Sequence, residues 1–142
     1  MAEEDSSDSD VQSVVIDRHS KDPSQDPRSP YFLHPSENPG AVLVSPSLND
    51  NNYHNWSRAM RRALSSKNKI KFINGTLLQP PVLDPNYNLW DRCNNMVISW
   101  ITRTLSPHIY QSTICIDSAY ELWKDLEDRF TYSRTRPKEC WA

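Results

Sequence analysis

The sequence predicts an all-α fold: a small helical bundle of three main helices and one short helix, behind a disordered acidic N-terminal tail and an extended Pro-containing arm. Three observations carry that expectation. Apolar side chains recur at helical spacing from Tyr53 onward. The eleven prolines and two glycines of the 142 residues fall outside those periodic stretches, or at the first position of one. A mean hydropathy of -0.75, with 37% hydrophobic residues, leaves material for only a small core.

Residues 1–30 hold eight acidic and three basic side chains, and their only apolar cluster is Val14-Val15-Ile16. That is too little buried area to offset about 1–2 kcal/mol of backbone entropy per ordered residue, so a solvated tail is expected. The other 112 residues carry thirteen basic and ten acidic side chains, so charge is segregated along the chain. From Tyr31 to Asp50, Pro35, Pro39 and Pro46 forbid a helix and bracket the run Ala41-Val42-Leu43-Val44. This is the extended arm, with Val42 to Val44 as the candidate for a short strand laid on the body.

Asn49-Asp50-Asn51-Asn52 supplies helix-capping residues. After it, Tyr53, Trp56, Met60, Ala63 and Leu64 share one arc, and Arg58, Arg61 and Arg62 lie opposite. This first helix is expected to end before the turn pair Asn74-Gly75, and Pro80-Pro81 blocks helix in the following loop. A second helix is expected from Asn86 or Asn88 to Thr104, burying Leu89, Trp90, Cys93, Met96, Val97, Trp100, Ile101 and Leu105. Ser106-Pro107 opens a short helix, since proline at the first helical position forfeits no hydrogen bond. Ser118 and Glu121 have capping-box spacing ahead of the stripe Ala119, Leu122, Trp123, Leu126 and Phe130. The expected core is Trp56, Met60, Leu64, Trp90, Val97, Trp100, Ile101, Leu122, Trp123, Leu126 and Phe130. A folded region of about eighty residues buries only about 60% of its unfolded surface, so cover from a partner would stabilise it.

No apolar run is long enough for a membrane span, and the acidic N-terminus is unlike a secretory signal. The expected compartment is therefore cytoplasmic, and Cys93, Cys115 and Cys140 are expected to remain thiols. None of these cysteines or of His19, His34, His54 and His108 has the close pairwise spacing with which two ligands grip one zinc ion. Asp117-Ser118-Ala119 has the form of an aspartic-protease loop, but it starts a helix and is better explained as a cap. Two glycines thirty-five positions apart exclude a glycine-rich phosphate loop. The expectation is a non-enzyme without metal, cofactor or small-molecule substrate.

The charge feature that stands out is Arg58 to Lys71, with Arg58, Arg61, Arg62, Lys67, Lys69 and Lys71 and no acidic residue. Two readings stay open: a stripe neutralising nucleic-acid phosphates, or the charged outer face that any water-exposed helix carries.

Particular residues resemble a family. Tyr31-Phe32-Leu33-His34-Pro35 through Pro39-Gly40, then Leu43-Val44, then Leu48-Asn49-Asp50-Asn51-Asn52-Tyr53-His54-Asn55-Trp56-Ser57-Arg58-Ala59-Met60, is similar to the N-terminal gag segment of plant copia-type retrotransposons. Lys71-Phe72-Ile73-Asn74-Gly75-Thr76, the stretch Trp90 to Ile101, and Asp117 to Leu126 resemble the gag polypeptide that follows it. The resemblance divides the chain into a tail (1–30), a copia-like N-terminal segment (31–75), a truncated gag-polypeptide-like helical region (76–132) and a divergent end (133–142). It implies an all-α, capsid-like protein that self-associates into a particle around element RNA. Full-length members continue into a further helical region and a zinc knuckle, and from Thr131 onward this chain departs from them, so a truncated member is expected. The expected function is a structural gag-like fragment with weak self-association and a second copy as partner. The alternatives are an RNA-binding module built on the basic stripe and a host-recruited helical adaptor with an exposed apolar groove.

Overall fold

The computed structural model describes residues 22–131, which fall into two compact units divided between His34 and Pro35. In the first, Pro23–Gln25 forms a 3-10 turn capped by the Asp22 carboxylate, which accepts from the Ser24 amide at 3.0 Å. The Asp26 carboxylate and the Ser29 hydroxyl likewise accept from the amides of Arg28 and Tyr31. Residues 22–30 therefore carry local turns. Local order there needs no buried area, because prolines preset φ and Asp or Ser side chains bond the backbone two residues on. The rest of the expected tail, and the divergent end beyond Thr131, lie outside the described residues.

The second unit is helical: α1 (Tyr53–Ser66), α2 (Tyr87–Thr102), the short α3 (Pro107–Gln111) and α4 (Ala119–Thr131). These are the three main helices and one short helix that the periodicity predicts. Val42 to Val44 form no strand. The backbone pairs further on, in an isolated parallel bridge where the Leu48 amide donates to the Thr104 carbonyl at 2.6 Å and Leu48 accepts from the Ser106 amide at 3.0 Å. Val44 and Leu48 are buried while Val42 is 60% exposed, so the arm is anchored by its second half.

The asparagine run acts differently from a helix cap. Asn52 occupies the cap position of α1, but its side chain accepts from the Asn49 amide at 2.8 Å and donates to the Ser47 carbonyl at 2.9 Å. It ties down the end of the arm instead of the first turn of the helix. The other end of α1 falls before Asn74-Gly75, as expected, and is set at Asn68. Asn68 takes the left-handed conformation (φ 59°), its amide donates to the Ser65 carbonyl, and the Lys69 amide donates to the Leu64 carbonyl. Those two bonds are a Schellman motif with asparagine where glycine is usual.

The helices meet through aromatic rings. Trp56 of α1 stacks on Trp123 of α4 at 5.5 Å, and Tyr53 stacks on Phe130 at 5.5 Å. Trp56, Met60, Leu64, Trp90, Val97, Trp100, Ile101, Leu122, Trp123 and Leu126 are buried. Phe130, in the last turn of α4, is half-buried against Tyr53. Between α1 and α2 the chain turns at Gly75, whose φ of +84° is a conformation L side chains avoid, and a Cβ there would stand 3.2 Å from Tyr120 Cε1. Gly75→Ala is therefore expected to cost about 1–2 kcal/mol, read as a lower urea midpoint at unchanged slope; an unchanged midpoint would contradict this account.

Candidate functional site

The helical reversal at Asn68 splits the basic stripe. Arg58, Arg61 and Arg62, on the face of α1 away from the core, are exposed, as is Lys71. Lys67 and Lys69 turn inward, a correction to the six-residue surface. Lys67 Nζ donates to the Glu37 carboxylate at 2.9 and 3.2 Å and sits 5.0 Å from the centroid of the Trp100 ring. Lys69 is only 2% exposed, and its Nζ donates to the Lys67 carbonyl at 3.3 Å. The reason is positional: the residue after the left-handed one in a Schellman motif folds back over the helix it terminates. Burial pushes the Lys69 ammonium below its ordinary pKa, and burial pushes the neighbouring Cys93 thiol up, so Cys93 acts as a small core hydrophobe.

Lys67 belongs to a strap. Residues 37–40 of the arm are tied across the bundle by the Glu37 ion pair, by Trp100 Nε1–H donating to the Asn38 carbonyl at 2.9 Å, and by Arg103 Nε–H donating to the Gly40 carbonyl at 3.2 Å. These contacts set the arm beside α1 and α2.

The start of α4 is held by one side chain that the helical pattern did not single out. Asn94 of α2, 1% exposed, donates from Nδ2 to the Asp117 carbonyl at 2.8 Å and accepts at Oδ1 from the Ala119 amide at 2.7 Å. The Ser118 hydroxyl accepts from the Glu121 amide at 3.3 Å, half of the expected capping box. The sequence signal for Asn94 is its position: it lies four residues after Trp90 and three before Val97, inside the apolar arc of α2.

This junction walls a polar groove of about 420 Å³ whose lining includes Gln79, Asp91, Asn95, Asp117 and Glu121. A smaller recess of about 160 Å³ shares Gln79, Trp90, Ser118 and Glu121 with it and adds Leu78 and Tyr120. The groove is acidic where α1 is basic. Among the described residues no three His, Cys, Asp or Glu side chains are grouped so as to hold a metal ion, and no helix is long and apolar enough to cross a membrane.

This fold presents separate acidic and basic surfaces on a helical scaffold. Residues 34–81, which span the strap, α1, the reversal after it and the Gly75 turn, match the family model of the gag polypeptide of LTR copia-type elements. The copia-type gag resemblance thus holds over that stretch. No curated protein and no solved structure matches the chain.

Proposed function

We propose that this chain is a non-catalytic, cytoplasmic gag-like protein whose helical body self-associates. The match of residues 34–81 to the copia-type gag polypeptide carries this reading. It is supported by an exterior that combines separate acidic and basic surfaces with exposed apolar side chains, among them Leu78, Val82 and Leu83. Sedimentation velocity on the full chain is expected to show the mean mass rising with concentration in the high micromolar range. A strict monomer throughout would overturn the proposal.

A second reading rests on a separate observation: Arg58, Arg61, Arg62 and Lys71 stay exposed on a segment without a carboxylate. As an RNA-binding face, four phosphate contacts would make log affinity fall with log salt at a slope of about -3. Changing the four to glutamine is expected to abolish fluorescence-anisotropy binding to single-stranded RNA. Salt-insensitive or unchanged binding would remove this reading.

A further inference from the structure

Among the described residues, three exposed surfaces of the helical unit stand out, and two of them complement each other. The first is the outer face of α1, where Arg58, Arg61 and Arg62 lie within little more than one turn. The second is the acidic groove with Asp91, Asp117 and Glu121 in its wall. The third is the apolar lip beside that groove: Leu78 is 71% and Tyr120 40% exposed, and both line the adjoining recess. The same loop carries Val82 and Leu83, which are 71% and 96% exposed.

Self-association by this chain, on which the inference rests, needs a surface. We propose that the acidic groove and its apolar lip receive the arginine face of α1 from a second copy. Charge complementarity selects that occupant. A guanidinium is a planar fork that matches a carboxylate with two hydrogen bonds, and its aliphatic stem covers apolar surface while the charged head stays in polar contact. The Leu78–Tyr120 lip therefore suits arginine stems, and an arginine head can lie over the Tyr120 ring. Two like copies of the groove placed face to face would instead oppose carboxylate to carboxylate.

The geometry also fixes the kind of assembly. No residue of α1 lines the groove or the recess, so donor and acceptor surfaces are separate on one protomer. A head-to-tail contact between them leaves one arginine face and one groove unused at the ends of every oligomer. It therefore grows, or closes into a ring, where a two-fold contact would stop at the dimer.

The test uses the full chain and two variants, each damaged on one side only. Arg58→Glu with Arg62→Glu spoils the arginine face, and Asp117→Lys with Glu121→Lys spoils the groove. Each is expected to weaken self-association by about tenfold or more, measured by sedimentation velocity. Mixed one to one with the neutral groove variant Asp117→Asn with Glu121→Gln, whose groove offers no charge to the reversed face, the arginine-face variant is expected to form a heterodimer that grows no further. Only one intact face and one intact groove remain per pair. Because lysine near the N-terminus of α4 opposes the helix dipole, Asp117→Asn with Glu121→Gln serves as the groove variant if the reversal unfolds the chain. Association by both variants at wild-type strength would overturn the inference and leave self-association standing through another face. Loss in both with no heterodimer on mixing would overturn it too. A monomeric wild type whose RNA binding disappears in Arg58→Glu with Arg62→Glu would overturn self-association and this inference together, and favour the RNA reading.

Discussion

Trp56→Ala is expected to remove about 3–5 kcal/mol of stability, enough to unfold most of the helical unit if its total is near the low end of the usual range of about 5–15 kcal/mol. Trp56 is 2% exposed, so truncation leaves a cavity that the surrounding helices cannot close without moving. Its ring stacks on Trp123 at 5.5 Å, and such aromatic pairs contribute beyond the area they bury. Its Nε1–H donates to Thr104 Oγ1 at 3.0 Å, and Thr104 is fully buried. The same threonine's carbonyl accepts from the Leu48 amide. Trp56 thus joins α1, α4, the end of α2 and the anchored part of the arm. Trp56→Phe keeps much of the ring but loses the indole donor, and is expected to fall between wild type and alanine. Urea unfolding followed by circular dichroism reads both as midpoint shifts at constant slope. A shift equivalent to less than about 1 kcal/mol for Trp56→Ala would show that the Trp56–Trp123 contact does not hold the bundle.

The helices are legible in the sequence because their apolar arcs are long and rich in large side chains, and burial then follows the arc. Trp90, Val97, Trp100 and Ile101 are buried as the periodicity predicts. The proline and serine that open α3 are equally plain. What escapes is decided by conformations and contacts with no periodic trace. The end of α1 depends on a left-handed Asn68, and asparagine announces that conformation far less clearly than glycine. The inward turn of Lys69 follows from that one residue, so half of the error in the basic stripe is a single dihedral angle. The other half, Lys67, depends on Glu37 thirty residues earlier, a pairing that only the folded strap creates. The arm shows the same limit. Its apolar run Val42 to Val44 invites a strand, yet the backbone pairs at Leu48, where the end of α2 exposes the Thr104 carbonyl. Of the candidate binding surface, the arginine face is legible as a helical stripe. The acidic groove is not, because Gln79, Asp91 and Asp117 come from three separate stretches.

Asn94→Leu is expected to cost about 2–4 kcal/mol, although it puts an apolar side chain among apolar neighbours. The loss comes from the backbone: the buried Ala119 amide loses its acceptor, and a buried group left unsatisfied costs about 1–3 kcal/mol, while the part-buried Asp117 carbonyl loses its donor. Leucine recovers part of this by burial, which keeps the total below the sum. The effect should be local as well as global. Asn94 is the bolt between the middle of α2 and the first residue of α4, so its removal frees the segment carrying Asp117, Ser118 and Glu121 before it loosens Trp56 or Trp100. Hydrogen exchange is expected to speed up at the amides of Ala119 to Leu122 more than in α1. If the second copy does dock in the acidic groove, Asn94→Leu should also weaken self-association at a temperature where circular dichroism still reports a folded chain, since Asp117 and Glu121 would no longer be held beside Asp91. Uniform exchange across all helices would instead mean that Asn94 contributes only to the stability of the whole. Faster exchange confined to the start of α4, with unchanged association, would place the contact between copies on a surface this junction does not shape.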